Sequence, residues 1–441
     1  MSRTFASLRF PNYRLWFGAA LVANIGTWMQ RVAQDWLVLT TLSNGSGAAV
    51  GITTALQFLP VLLFSAWAGS LADRVPRRRL LMITQGAQGV LALGLGIIVL
   101  AGNAQLWQVY LFAFALGCVT AIDAPVRQTF VAEMVPAGNL PNAVGLNSAS
   151  FNAARMIGPA LAGVLIAAVG TGWVFVINAV SFGATIAALA AMSAAALYPM
   201  PSSARGRGSV REGVAYVRGR TDILVIMVVM GVVSTFGLNF QLTSALMASE
   251  VFGKDAGGYG ALGSVLAIGS LGGALLAARR ERPRVRLVLG AAAAFGVLML
   301  VQAVAPSYLV YALLSVLVGF SSLTMLTAAN STIQVSTDPA VRGRVMALYM
   351  MVLQGATPIG SPVIGWVADV AGPRWAVGIG GLASLLVAVV ASLWAKKHWH
   401  VDVRYRLRVR PHLVVASPAD RRAEVAARLD ADEATQSSSA A

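Results

Sequence analysis

Residues 67–82 read Trp67-Ala68-Gly69-Ser70-Leu71-Ala72-Asp73-Arg74-Val75-Pro76-Arg77-Arg78-Arg79-Leu80-Leu81-Met82. A long apolar run stops in an aspartate, four arginines follow within six residues, and a second apolar run begins at once. A connection this short joins two membrane-crossing helices. Its arginines fix the side it faces, because short basic loops remain cytoplasmic.

Outward from this turn the same pattern repeats. A hydrocarbon core of about 30 Å takes about 20 apolar residues per helix. At that length the chain divides into twelve spans, near 14–40, 48–72, 80–101, 105–125, 142–168, 172–196, 222–249, 257–278, 286–304, 306–329, 343–368 and 374–395. The longest internal connection, 197–221, separates the sixth span from the seventh. The expected fold is therefore an all-α membrane protein of two pseudo-symmetric six-helix bundles, 1–196 and 222–395. A cytoplasmic linker, 197–221, joins them, and a basic, partly disordered cytoplasmic tail, 396–441, follows. The first span is too long for a signal peptide and no cleavage site follows a short apolar core, so it is expected to stay in the mature protein.

Alternate connections carry the basic residues: Arg3, Arg9 and Arg14; Arg74 and Arg77 to Arg79; Arg127; Arg205, Arg207, Arg211, Arg218 and Arg220; Arg279, Arg280, Arg282, Arg284 and Arg286; Arg342 and Arg344. The opposite connections hold only Lys254 and Arg374. Both termini and the linker are thus expected in the cytoplasm of a cell with a multi-pass cytoplasmic membrane protein. Shifting the count by one span would destroy this asymmetry.

Composition excludes other classes. Hydrophobic residues make up 57% of the chain and charged ones 11%, against about 25% charged in a soluble domain. The net charge of +16 does not imply nucleic-acid binding, because the basic residues sit between apolar runs instead of lining one face. Cys118 is the single cysteine, which rules out a disulfide within the chain and a Cys-rich metal site. His398, His400 and His412 all lie in the tail, and no phosphate-binding Gly-rich Lys motif occurs. ATP hydrolysis, metalloprotease and Ser/His chemistry are not expected, and no cofactor or metal is called for.

The two bundles share a pattern. Gly158, Gly163, Gly170 and Trp173 recur at one constant offset as Gly360, Gly365, Gly372 and Trp375. These segments are the fifth span of each half. Parallel repeats of this kind place a substrate site between the halves, near mid-membrane.

Three charges lie deeper than the loops. Arg31 and Asp35, one helical turn apart, share a face of span one. From Tyr13, Asp35 is ~33 Å along the helix, toward the outer interface. Two readings stand: a mutual ion pair at a helix end, or a carboxylate that binds and releases the coupled proton, with Arg31 or Arg155 tuning it. Arg155, ~20 Å into span five, either pairs with Asp35 or contacts an anionic group of the substrate. Glu250, Asp255 and Asp369 fall near outer helix ends and are expected to be solvated. The expected cavity wall is polar but largely uncharged: Asn24, Trp28, Gln34, Gln57, Asn152, Asn239, Gln241 and Gln354, with Gln30, Trp36 and Trp67 beside them. Neutral amides with aromatic surface suit a bulky amphipathic organic molecule better than a simple ion.

Over roughly residues 8–396 the chain resembles the major facilitator superfamily. Gly69-x-Leu71-Ala72-Asp73-Arg74-x-x-Arg77-Arg78 is similar to its cytoplasmic loop signature between spans two and three, with Pro76 where a second glycine is usual. Gly158-Pro159-x-x-Ala162-Gly163 resembles its antiporter-associated signature. Asp123-x-Pro125-x-Arg127-Gln128 and Arg342-Gly343-Arg344-Val345-Met346 resemble the branch with enterobactin exporters and macrolide efflux pumps. The family's frequent span-four arginine is missing, since Phe112 to Ile122 contains none. The resemblance implies that Gly69, Asp73, Arg74, Arg77, Arg78, Asp123 and Arg127 form a cytoplasmic gate. Asp73 would face the helix beginning near Arg342, and Arg77 would pair with Asp123 when the outside is open. It also implies that Gly158, Pro159 and Gly163 form a hinge or seal; close helix packing is the plainer reading.

In the tail, Val403, Tyr405, Leu407 and Val409 alternate with Arg404, Arg406, Arg408 and Arg410, a strand pattern with one basic face. It is either a lipid-headgroup contact or a solvated extension. The reading reached is a monomeric transporter in the lipid bilayer that exports a small amphipathic organic compound in exchange for protons. An importer of the same fold and a non-transporting membrane sensor or scaffold are the alternatives.

Overall fold

The computed structural model describes residues 3–72, 75–198, 210–278, 285–338, 341–399, 402–406 and 412–416. Asp73 and Arg74 of the loop signature lie outside them, as do residues 417–441 of the tail. The first half consists of α1 (Pro11–Leu37), α2 (Gly47–Ala72), α3 (Arg77–Leu100), α4 (Leu106–Phe130), α5 (Leu140–Val169) and α6 (Thr171–Ala191). A short helix in the linker, α7 (Val210–Gly219), precedes the second half. That half comprises α8 (Thr221–Phe236), α9 (Phe240–Leu246), α10 (Ala256–Ala278), α11 (Val285–Ala303), α12 (Tyr308–Ser336), α13 (Arg342–Gly355), α14 (Thr357–Ala371) and α15 (Pro373–Trp399). Two strands, β1 (Asp402–Arg406) and β2 (His412–Ala416), pair antiparallel with Asp402 opposite Ala416. The alternation expected over Asp402–Arg410 is thus a strand through Arg406; residues 407–411 lie outside the described ones.

Eleven helical segments among the described residues are long and apolar enough to cross a membrane, one fewer than expected. The exception is α1. It has the length, 27 residues, or about 40 Å at ~1.5 Å per residue. Asn12, Arg14, Asn24, Gln30, Arg31, Gln34 and Asp35 dilute its apolar character. The helix tolerates them because Asn12, Gln30, Gln34 and Asp35 are buried in protein, where it packs on α5 and α6, away from lipid.

Two spans are broken. Span seven is interrupted between α8 and α9 at residues 237–239, where Leu238 N bonds to the Val233 carbonyl instead of the regular partner. Span eleven is interrupted at Ala356, before Pro358 in the first turn of α14. Irregular backbone at membrane depth is tolerated where it borders a cavity, and Leu238, Asn239 and Thr357 do so.

Within each half the helices form a bundle, α1 with α5 and α6, α2 with α4, and α3 with α6; α10 with α12, and α11 with α15. The halves meet chiefly along α2 with α14 and α5 with α10. Described arginines of the basic connections open α3 and α13 and close α4. Arg78 donates to the Leu189 and Ala190 carbonyls at 2.8 and 2.9 Å, closing the last turn of α6. Glu212 of α7 takes a 2.6 Å bond from Arg344 of α13, so the linker helix docks on the second half.

Candidate functional site

A cavity of about 200 Å³ lies between the halves. Its wall comes from α1 (Trp28, Arg31, Val32), α2 (Thr54, Phe58), α5 (Arg155, Pro159), the broken span seven (Leu238, Asn239, Phe240, Gln241, Leu242, Ser244), α10 (Tyr259, Gly263, Leu266) and α14 (Thr357, Ser361). Among the described residues Arg31 and Arg155 are the only charged groups on this wall.

Trp28 organises that charge. The Arg31 guanidinium carbon lies 5.0 Å from its ring centre and 5.4 Å from that of Phe58. Arg155 reaches the same indole from α5 at 5.8 Å. Such contacts stabilise a cation by about 0.5–2 kcal/mol each. Asp35, 3% exposed, sits one turn beyond Arg31 and does not line the cavity. Its Oδ2 accepts a 3.2 Å hydrogen bond from the Tyr259 hydroxyl of α10, and Trp36 stacks on the Tyr259 ring at 6.2 Å. No ion pair within 4.0 Å joins Asp35 to Arg31 or Arg155. The expected helix-end ion pair and the expected Arg155–Asp35 pair are both absent here, because each guanidinium turns onto the indole. Asp35 lies toward the arginine-poor end, as its place in α1 implied, but under protein rather than at an interface.

Of the expected cavity amides and aromatics, Trp28, Asn239 and Gln241 line the wall. Asn239 is fixed by a 2.8 Å bond to the Thr235 carbonyl and accepts from Ser361 Oγ at 2.9 Å. The side chain of Trp67 lies outside the described residues, and the remaining amides and aromatics lie elsewhere. Asn24 accepts from Arg127 at 3.3 Å. Asn152 donates to the Ser148 carbonyl of its own helix at 2.9 Å. Gln34 is buried behind the wall, Gln354 is exposed, and Gln57 is half-buried on α2. Gln30 is held by Asn178 at 2.5 Å. Amide composition did not separate wall from helix-to-helix bonding, because either role takes the same side chain. Tyr259 carried no local sequence signal; a lone tyrosine in an apolar helix looks like packing.

The repeated glycines do the same work in each half. A methyl group at Gly158 would lie 2.5 Å from Trp28 Cβ, so α5 touches α1 there. One at Gly163 would lie 2.8 Å from the Ala256 carbonyl oxygen of α10, across the halves. In the second half, Gly360 abuts Thr235 of α8, and Gly365 abuts Gly47 of α2, again across the halves. The first glycine packs the bundle and the second closes a seam, which accounts for the constant offset. Pro159 sits between these contacts and reaches the cavity.

Asp369 is exposed, as expected, and it also caps one seam. It accepts from Gly47 N at 2.5 Å, Ala48 N at 3.0 Å and Ser46 Oγ at 2.9 Å. A carboxylate at the end of α14 thereby satisfies the free amides that open α2. Both seams lie toward the arginine-poor end, so the molecule is sealed there.

At the arginine-rich end the signature residues act within the first half. Gly69 belongs to α2. Arg77 pairs with Glu133 in this outward-sealed conformation, whereas the Asp123 pairing was implied for the outward-open one. Asp123, 4% exposed, is filled by Arg127 at 3.0 Å, Thr84 at 2.7 Å and Gln85 at 2.8 Å. The reason is reach. Arg127 is one turn from Asp123 on α4, whereas Arg77 opens α3 beside the 3₁₀ turn that carries Glu133. No hydrogen bond of Arg77, Arg78, Asp123 or Arg127 crosses to the second half among the described residues. Among the same residues no cluster of three His, Cys, Asp or Glu side chains offers a metal site.

Comparison with known proteins agrees with this architecture. The transmembrane secretion effector family matches residues 2–440. The chain is 24% identical over 386 residues to a staphyloferrin A transporter of Staphylococcus aureus, covering 86% of this chain and 94% of that one. It is 28% identical over 392 residues to the multidrug efflux pump Tap of Mycobacterium tuberculosis, covering 83% and 89%. Its fold matches a bacterial homologue of the human lysosomal transporter Spinster with a TM-score of 0.68 at 14% identity, over 90% and 98% of the two chains. With two helical bundles, a cavity between them and paired seams, the chain is a multi-pass membrane transporter, not an enzyme, and belongs to the transmembrane secretion effector family of the major facilitator superfamily.

Proposed function

We propose that the protein exports a small amphipathic organic compound across the cytoplasmic membrane of a bacterium in exchange for protons, as a monomer. The arginine-rich end and both termini face the cytoplasm, so the sealed end faces outward and the cavity loads from inside. The halves correspond to 1–196 and 222–395, with 197–221 as linker and 396–441 as cytoplasmic tail. The observation that carries the reading is the buried Asp35, held by Tyr259 of the opposite half. A carboxylate at membrane depth that bonds across the moving interface ties its protonation to the seal. The resemblance to Tap and to the staphyloferrin A transporter supports export of an organic cargo. Gly69, Asp73, Arg74, Arg77, Arg78, Asp123 and Arg127 form the cytoplasmic gate, and Gly158, Pro159 and Gly163 part of the outer seal.

The deciding experiment is a metabolite-export and drug-resistance screen in a deletion strain, repeated with Asp35→Asn and with an uncoupler. Export that stops with the uncoupler and with Asp35→Asn, while counterflow in proteoliposomes persists, supports the reading. Uphill export by Asp35→Asn overturns Asp35 as the coupling site. Substrate loss from uncoupled cells identifies an importer, and ligand binding without flux identifies a sensor.

A further inference from the structure

We infer that Arg31 and Arg155, with Trp28 between them, form a subsite for the anionic group of an amphipathic organic acid. The inference deepens the export reading and rests on it. The two guanidinium groups come from different helices, α1 and α5, which meet where Gly158 admits the base of Trp28. Both groups are half-buried and line the cavity. Each has five N–H donors, yet neither gives a hydrogen bond to protein among the described residues; their contacts are with Trp28 and Phe58. The one acid near them, Asp35, is turned to Tyr259 and stands behind the wall.

Their donors therefore face the cavity instead of a protein acceptor, free to meet a bound anion. A carboxylate on the cavity side of the indole satisfies both, since the planar guanidinium fork matches a carboxylate in two parallel bonds. A neutral cargo makes no charge pair with the two guanidinium groups, and a cation is repelled by them. The remaining wall says what the acid carries. Phe58, Phe240, Leu238, Leu242 and Leu266 present apolar surface for an aromatic or aliphatic body. The cargo's charge and the coupling proton occupy different groups, so exchange is enforced by the two gates rather than by displacement at one shared site.

The test uses the purified full-length chain and three probes of one shape: 1-naphthylacetate, its neutral amide, and 1-naphthylmethylamine. Equilibrium dialysis should give the carboxylate at least about tenfold tighter binding than the amide, the range for a hydrogen bond to a charged group, and no binding of the amine. Arg31→Gln and Arg155→Gln should each erase the preference, while Arg155→Lys should retain part of it. Arg155→Lys and the wild-type probe series decide the matter if a Gln variant fails to fold. Amide or amine binding as tight as carboxylate binding overturns the proposal. So do a Gln variant that keeps the preference, absence of carboxylate binding up to millimolar concentration, and equal displacement of the probe by millimolar chloride. A carboxylate preference without proton-dependent export would sink the export reading alone; proton-driven export of a neutral or cationic cargo would sink this inference alone.

Discussion

Tyr259 of the second half donates its hydroxyl proton to Oδ2 of Asp35 in the first half, at 3.2 Å. The bond lies beneath the sealed end and joins the two bodies that must part for cargo to leave. A hydrogen bond to a charged group contributes about 1.5–3 kcal/mol. Tyr259→Phe keeps the ring against Trp36 and removes only this bond. We expect the sealed conformation to lose population by roughly tenfold or more, and proton-driven export to fall while the protein stays folded. Spin-label distances across the outer end, with export assays alongside, measure both. An unchanged distance distribution would show that the bond does not hold the seal.

Asp369 is a second fastener. Loss of a carboxylate cap at a helix start costs about 0.5–2 kcal/mol. Asp369→Ala should therefore open the outer end several-fold, seen as faster modification of a thiol introduced near Gly47 in a Cys118→Ser background. Asp369→Asn, which keeps an acceptor but not the charge, should fall between the two.

Gly163→Ala places a methyl 2.8 Å from the Ala256 carbonyl oxygen. Rigid backbone faces it, so one helix must shift, at about 1–3 kcal/mol. The expected outcome is a transporter biased toward outward opening, with slowed export and near-normal thermal stability of each bundle. Thiol accessibility on the outer side, compared with Gly145→Ala, where nothing lies near, separates a seam effect from a helix-propensity effect.

Exchange of a monovalent organic anion for one proton moves two charges in one direction. Each is worth about 2.3 kcal/mol for every ~100 mV. Export from proteoliposomes should accordingly respond to a potassium diffusion potential at constant pH, and Arg155→Gln should weaken that response to an acid cargo. Export insensitive to voltage would argue for a neutral substrate or a different proton count.

The outline of the molecule was legible because membrane folding is governed by coarse quantities. Apolar length sets the spans, and the alternation of arginines between connections follows the same count of helices. Only α1 escaped the length-and-composition rule, since it carries the residues that face inward. The glycine repeat was visible as well, although its division of labour between bundle packing and seam was not. Which side chain meets which was much less legible. Family resemblance matched Asp123 with Arg77 for the outward-open state; with the outer end sealed, Asp123 is held by Arg127 one helical turn away. Arg155 had two candidate partners in the sequence, an acid and a ligand, and its contact with Trp28 needed the crossing angle of α1 and α5. Asp369 is exposed as its place at a helix end implied, but nothing in its own helix reveals that the start of α2 lies beside it.

The two seams also bear on how the protein can change over time. Gly163 against α10 and Gly365 against α2 are equivalent joints on opposite flanks of one rocking body. Harm to either is a shift in one shared balance, not a local wound. Revertants of a Gly163 lesion need not arise beside it, and the far flank around Gly47 and Asp369 is where selection should find repairs.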